Sequence, residues 1–157
     1  MKKLAVFLIV LFSLGLVYSI TGCQTAQSTT TTTTIPLSGT VEVSVITNSD
    51  SYTLLQPIII TMTVTNGCTS SIEVINGPFF SYRFRIMSGT EEIIEIPEIM
   101  PSAMQNHSLA SGSTEVTSVT WDQRYAHTSE TVVVGTYDIT GYSVFTTKLA
   151  TKEIIIR

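Results

Sequence analysis

From Thr40 onward the chain alternates apolar and polar positions in short runs. Val41, Val43 and Val45 share one face, and Glu42 and Ser44 the other, which is the period of a half-buried strand. Asn48 to Ser51 is a turn cluster. After Pro57, Ile58, Ile60, Met62 and Val64 share one face, opposite Ile59, Thr61, Thr63 and Thr65. This run predicts a strand at the centre of the core, ended by a turn at Asn66 and Gly67. A short strand covers Ser71 to Ile75, before the breakers Asn76, Gly77 and Pro78. In the next run Phe80, Tyr82, Phe84 and Ile86 alternate with Ser81, Arg83 and Arg85. The aromatics are expected to face inward and the arginines outward. Ser88 to Thr90 turns the chain into a strand from Glu91 to Ile96.

Residues 97 to 113 break the rhythm with Pro97, Pro101, Met100 and Met104, and read as a long crossover loop with one helical turn at most. Thr114 to Trp121 is again a strand. Val116 and Trp121 have opposite parity, which predicts a bulge or twist between them. Asp122 to Thr131 is a polar return loop, Val132 to Thr140 a strand, Gly141 and Tyr142 its turn, and Phe145 to Ile156 the closing strand.

Turn signals every eight to twelve residues, with seven to nine strands and one long connection, predict an all-β protein. The architecture expected is an immunoglobulin-like Greek-key β-sandwich. The abundance of Thr, Ser and Ile suits pleated, half-buried surfaces. Trp121, Gly135 and Tyr137 are expected to build its closing half. A Tyr near the start of the penultimate strand can bond a backbone group upstream, and Gly135 would let the chain turn before it. Core packing is favoured over ligand stacking for Trp121 and Tyr137, because large aromatics mostly fill interiors.

Ahead of the strands lie two segments of different character. Lys2 and Lys3, an apolar run from Leu4 to Val17, and small residues before Cys23 follow the grammar of a secretory signal. The run is shorter than the roughly 20 apolar residues that span a bilayer. Ile20, Thr21, Gly22 and Cys23 resemble a lipobox, the motif of bacterial lipoproteins. That resemblance implies cleavage before Cys23 and acylation of its thiol. The plainer alternative is an ordinary signal or uncleaved anchor with an incidental Cys. Gln24 to Thr34 reads QTAQSTTTTTT and cannot bury enough surface to fold. It is expected to be a disordered tether, bare or O-glycosylated. With Ile35 to Gly39 it reaches at most on the order of 50–58 Å. The expected division is therefore 1–22 signal peptide, 23–39 linker with lipidated Cys23, and 40–157 sandwich domain.

Charge narrows the function classes. The chain holds 8 Lys and Arg against 12 Asp and Glu, and two of the basic residues belong to the signal. A mildly acidic domain offers no electrostatic footprint for nucleic acid. His107 and His127 read as surface residues of polar loops, without the three or four neighbouring ligands of a zinc site. No Gly-rich phosphate loop, His-Glu-x-x-His or Gly-x-Ser-x-Gly occurs. Asp122 and Glu130 read as solvated loop acids, and Cys68 as an unpaired thiol beside a turn. No cofactor, metal or catalytic residue is expected, and the protein is read as a non-enzyme.

The segment from Ile58 to Tyr142 resembles the BsuPI-type proteinase-inhibitor domain. The pieces that carry the resemblance are Val64, Thr65 and Asn66; Tyr82, Arg83 and Phe84; Leu109 to Gly112; Trp121, Asp122 and Gln123; and Gly135, Thr136 and Tyr137. The resemblance implies an immunoglobulin-like sandwich and inhibition of a serine protease. The family's founding member looks intracellular, whereas this chain begins with an export signal, so an intracellular target does not carry over. No reactive residue carries over either. An inhibitor must offer an exposed, extended segment, and Ile96, Pro97, Glu98, Ile99, Met100 and Pro101 form the candidate, since proline lowers the entropy lost on binding. A crossover that merely covers a sheet edge is the plainer reading of the same residues. The expected protein is held on the extracytoplasmic face of the cell membrane through lipid on Cys23. Its domain would bind a protease or another envelope protein, or serve as an architectural envelope protein.

Overall fold

A computed structural model describes residues 39–99, 101–128 and 130–157. The signal segment, Cys23 and the Thr-rich linker lie outside the described residues, as does Met100. No helix occurs among the described residues. The strands are β1 (Val41–Thr47), β2 (Ser51–Tyr52), β3 (Ile58–Asn66), β4 (Ile72–Pro78) and β5 (Tyr82–Ser88). They continue as β6 (Glu91–Ile96), β7 (Met104–Leu109), β8 (Thr114–Trp121), β9 (Gly135–Ser143) and β10 (Ala150–Ile156). All but the two-residue β2 are six residues or longer.

Two sheets face each other across the core. One has the order β1-β3-β8 and the other β2-β10-β9-β5-β6, while β4 and β7 form a separate ribbon. The first strand is divided between the sheets: β1 pairs antiparallel with β3, and β2 pairs parallel with the end of β10. The chain then exchanges sheets between β3 and β5, β6 and β8, and β8 and β9. This is an immunoglobulin-like Greek-key sandwich.

The core follows the period-two pattern. On β3, Ile58, Ile60, Met62, Val64 and Asn66 are buried while the residues between them are not. They meet Phe84 and Ile86 of β5, Tyr137 and Ile139 of β9, and Ile154 and Ile156 of β10. Each fully buried aliphatic or Phe side chain stabilises by about 1.5–3 kcal/mol relative to leaving it in water. Gly141 lets the two sheets approach closely. A Cβ there would lie 2.6 Å from Val45 Cγ2 and 2.9 Å from Met62 Sδ.

Four local expectations are corrected. Gly141 and Tyr142 do not turn the chain. They lie inside β9, which runs on to Ser143, and the glycine serves the sheet-to-sheet contact instead. No bulge separates Val116 from Trp121, because β8 keeps one continuous register with β3. The parity conflict is resolved by exposing Val116 on the outer face. The crossover of residues 97 to 113 is not wholly loop, since it contains β7. That strand has mostly exposed, polar residues, so no apolar alternation announces it. Its partner β4 continues through Pro78, absorbing Asn76 and Gly77 in a register shift between Val74 and Gly77.

Candidate functional site

The most distinctive surface lies where β5 begins and β9 ends. Pro78, Phe80, Tyr82, Arg83, Tyr142 and Val144 help line a groove of about 340 Å³. Its aromatic residues belong to a ladder of rings: centroids lie 5.0 Å apart for Phe79 and Phe80, 5.7 Å for Phe80 and Tyr82, and 5.9 Å for Tyr82 and Phe84. Tyr82 and Phe84 occupy inward positions of β5, so the ladder runs from the core out to the surface. The Arg83 guanidinium sits 4.5 Å from the Tyr142 ring centroid, and that of Arg85 at 5.5 Å. Both arginines also face Glu95, and Arg85 faces Glu92 at 3.0 Å. The guanidiniums therefore gather at the Tyr142 ring and beside carboxylates rather than projecting as free cations. Phe79 and Met104, beside the paired Pro78 and Met104 positions, leave large apolar surface in water, with Met104 72 % exposed.

The predicted interaction loop lies elsewhere. Ile96 ends β6, the Ile96–Pro97 bond is cis, and Pro97 is half-buried. A carboxylate oxygen of Glu98 accepts from the His127 backbone N–H at 3.1 Å and lies 3.1 Å from His127 Nδ1. Ile99 is 77 % exposed, and Pro101 is exposed too. The loop is thus tied to the return loop after β8, which reaches the outer edge of β6 through a hydrogen bond from Ala126 N–H to Ile93 O. It joins Glu98 to His127 and is not part of the groove wall.

Trp121 and Tyr137 do come together. Their rings meet edge to face at 5.7 Å, and both side chains are fully buried. The Trp121 indole N–H donates to Arg124 O at 3.0 Å, and the Tyr137 hydroxyl donates to Val133 O at 2.5 Å. Burial holds the Tyr137 phenol above its ordinary range, with Tyr125 and Glu91 acting in the same direction. Gly135 does not serve as a turn glycine. It opens β9, and a Cβ there would meet nothing nearer than Tyr137 Cε2 at 3.9 Å.

Two residues that carry the resemblance also hold buried hydrogen-bond networks that the sequence did not show. Gln123 is completely buried with φ 61°. Its Oε1 accepts from Leu55 N–H at 2.9 Å, and its Nε2 donates to Thr53 O and Gln56 O. Asn66, also completely buried, donates from Nδ2 to Ser70 O, Leu109 O and Ala110 O and accepts from Cys68 N–H. The Asn66-Gly67 dipeptide signals a turn, but nothing local signals the contact of Asn66 with residues more than forty positions away. His107, expected in a surface loop, instead lies half-buried in β7, with Nε2 2.6 Å from Pro78 O. Asp122 faces Arg124 at 3.3 Å, and Cys68 is a free, half-buried thiol. No group of three His, Cys, Asp or Glu that could hold a metal ion occurs among the described residues.

No family model and no curated protein matches the chain. Solved structures do. The β-glucosidase EmGH1 of Erythrobacter marinus is similar over 75 % of this chain, with TM-score 0.50 and 15 % identity. The alkylpurine DNA glycosylase AlkC of Pseudomonas fluorescens is similar over 74 %, with TM-score 0.50 and 12 % identity. This chain spans only 15 % of the glucosidase and 30 % of the glycosylase, so the likeness is one of fold alone. The CARDB domain of PF1109 from Pyrococcus furiosus is covered over 93 % of its length at 10 % identity, with TM-score 0.47, a likeness too loose to argue from.

Proposed function

We propose that this chain is a lipid-anchored, extracytoplasmic lipoprotein whose immunoglobulin-like domain binds a protein partner, a protease foremost, without catalysing a reaction. The observation that carries the reading is the aromatic groove with Phe79 and Met104 exposed beside it. Large apolar side chains gathered at a concave site are what protein recognition uses, and stacked Arg and Tyr are typical of its anchors. The lipobox-like Ile20 to Cys23 and the Thr-rich tether support the anchor. Two or three acyl chains, at about 0.8 kcal/mol per buried CH₂, hold a domain on a membrane without the domain touching lipid. The resemblance to BsuPI-type domains supports a protease as the partner, with the exposed Ile99 in the segment offered to it.

Full-length protein in detergent, titrated against a panel of serine proteases that includes enzymes secreted by the host, tests the partner. Stoichiometric, saturable inhibition is expected, weakened in Ile99→Gly and Met100→Gly. Intact protein that leaves every protease fully active would remove proteases from the reading. The anchor is tested by mass spectrometry of membrane-extracted protein: a mature chain that begins at an acylated Cys23 is expected, and an unmodified Cys23 would overturn it.

A further inference from the structure

We infer that the free edge of β8 is a strand-addition site for an extended segment of a partner protein, with the aromatic groove receiving a side chain at the segment's end. The inference rests on the reading of the domain as a protein-binding module.

Register shows which backbone groups are unpaired. Asn66 N–H donates to Ser113 O at 2.9 Å, and β8 continues from there in unbroken antiparallel register with β3. In such a ladder the residues bonded to the neighbour alternate. Glu115, Thr117, Val119 and Trp121 therefore bond β3. The N–H and C=O groups of Thr114, Val116, Ser118 and Thr120 point the other way, where no described strand pairs. The inward-facing Glu115, Thr117 and Val119 are half-buried, unlike their fully buried counterparts on β3. That side of the sandwich is therefore open.

Edges are normally blunted by Lys, Pro, bulges, short length or a covering loop. The far edge of the other sheet is guarded in this way: β6 carries Glu91, Glu92 and Glu95, a register shift, and the Ala126 N–H on Ile93 O. The opposite edge strand, β2, has two residues. β8 has eight, with no Pro, no Lys, no bulge and a single charge, Glu115. That charge is bonded by the Ser81 hydroxyl, and Ser81 also lines the groove. The groove is thus joined to the first turn of the pleat in β8, which sets this edge apart from that of β1.

The site's chemistry selects its occupant. Backbone pairing supplies affinity, and alternate side chains supply preference. Apart from the occupied Glu115 and the buried Trp121, both faces of β8 present Thr, Ser and Val, so an uncharged, β-branched segment ending in an aromatic residue is favoured. In a second copy the one aromatic residue of β8, Trp121, is buried and cannot enter the groove, which argues for a partner's segment rather than a second copy.

The probe is a fluorescently labelled ten-residue peptide of alternating Val and Thr with a terminal Phe, titrated into full-length protein in detergent. Saturable binding is expected, with slowed amide exchange at Thr114, Val116, Ser118 and Thr120. Val116→Pro, which removes one outward N–H and no bond to β3, is expected to weaken binding about two- to tenfold, the loss of one hydrogen bond. Val116→Lys guards against misfolding of the proline variant, and Ile46→Lys, an equally exposed site on β1, is expected to leave binding unchanged. Protection of β1 instead, no protection at all, or undiminished binding to both Val116 variants would overturn the inference. A protease or other protein target that binds both variants at full affinity would overturn the edge alone. Failure of peptide and protein targets alike would also overturn the binding-module reading.

Discussion

Tyr137 shows how one side chain can hold a corner of the sandwich. Its ring packs on Trp121, and its hydroxyl donates to Val133 O four residues upstream. Tyr137→Phe keeps the ring but deletes that bond, at an expected cost of about 0.5–1.5 kcal/mol. The same substitution should alter the alkaline limb of stability. Burial raises the folded-state pKa of Tyr137, so above about pH 10 the unfolded chain loses its phenolic proton first. The folded state then holds more protons, and stability falls as pH rises. The contribution is complete below the unfolded value and is lost through the raised folded one. Urea midpoints at pH 7 and above pH 10 should show a shallower alkaline loss in Tyr137→Phe than in the parent. Parallel losses would contradict this account.

The elements turn on two glycines that look alike in sequence. Gly135 stands where a turn residue was expected, yet a Cβ has room there. Gly141, expected to turn the chain, is held mid-strand against Val45 and Met62 of the opposite sheet. Gly141→Ala should therefore destabilise by about 1–3 kcal/mol through overpacking. Gly135→Ala should stay within about 0.5 kcal/mol of the parent. Chemical denaturation of the pair checks both values, and equal effects would mean that the sheets do not meet closely at Gly141.

At the scale of the whole molecule, the lone Trp121 reports on the contact between sheets. It belongs to β8 of one sheet and packs on Tyr137 of β9 in the other. Its fluorescence should change only when the sheets part. Because the buried side chains form one cluster, urea transitions followed by Trp121 fluorescence and by far-UV circular dichroism are expected to coincide. Separated transitions would mean that one sheet survives the loss of the other. The surface ion pairs of Arg83 and Arg85 add little to this stability, since exposed pairs contribute about 0–1 kcal/mol.

Alternation along the chain determined the all-β class, the sandwich and nearly all the strands, because a strand's inward face must be apolar whatever it packs on. Ile58 to Val64 are legible for that reason, and so are Phe84, Ile86 and the positions of Trp121 and Tyr137. β7 was not legible, because an edge ribbon with solvent on most of its residues needs no apolar period. Nor were Gln123 and Asn66, whose burial depends on carbonyl and amide groups brought from distant loops. The groove was half visible: the aromatic run Phe79 to Phe84 stood out, but Tyr142 lies some sixty positions away and reaches Arg83 only by strand pairing. The open edge of β8 is the furthest from sequence. Whether a strand has a neighbour is a property of the sheet, and only the tertiary structure decides it.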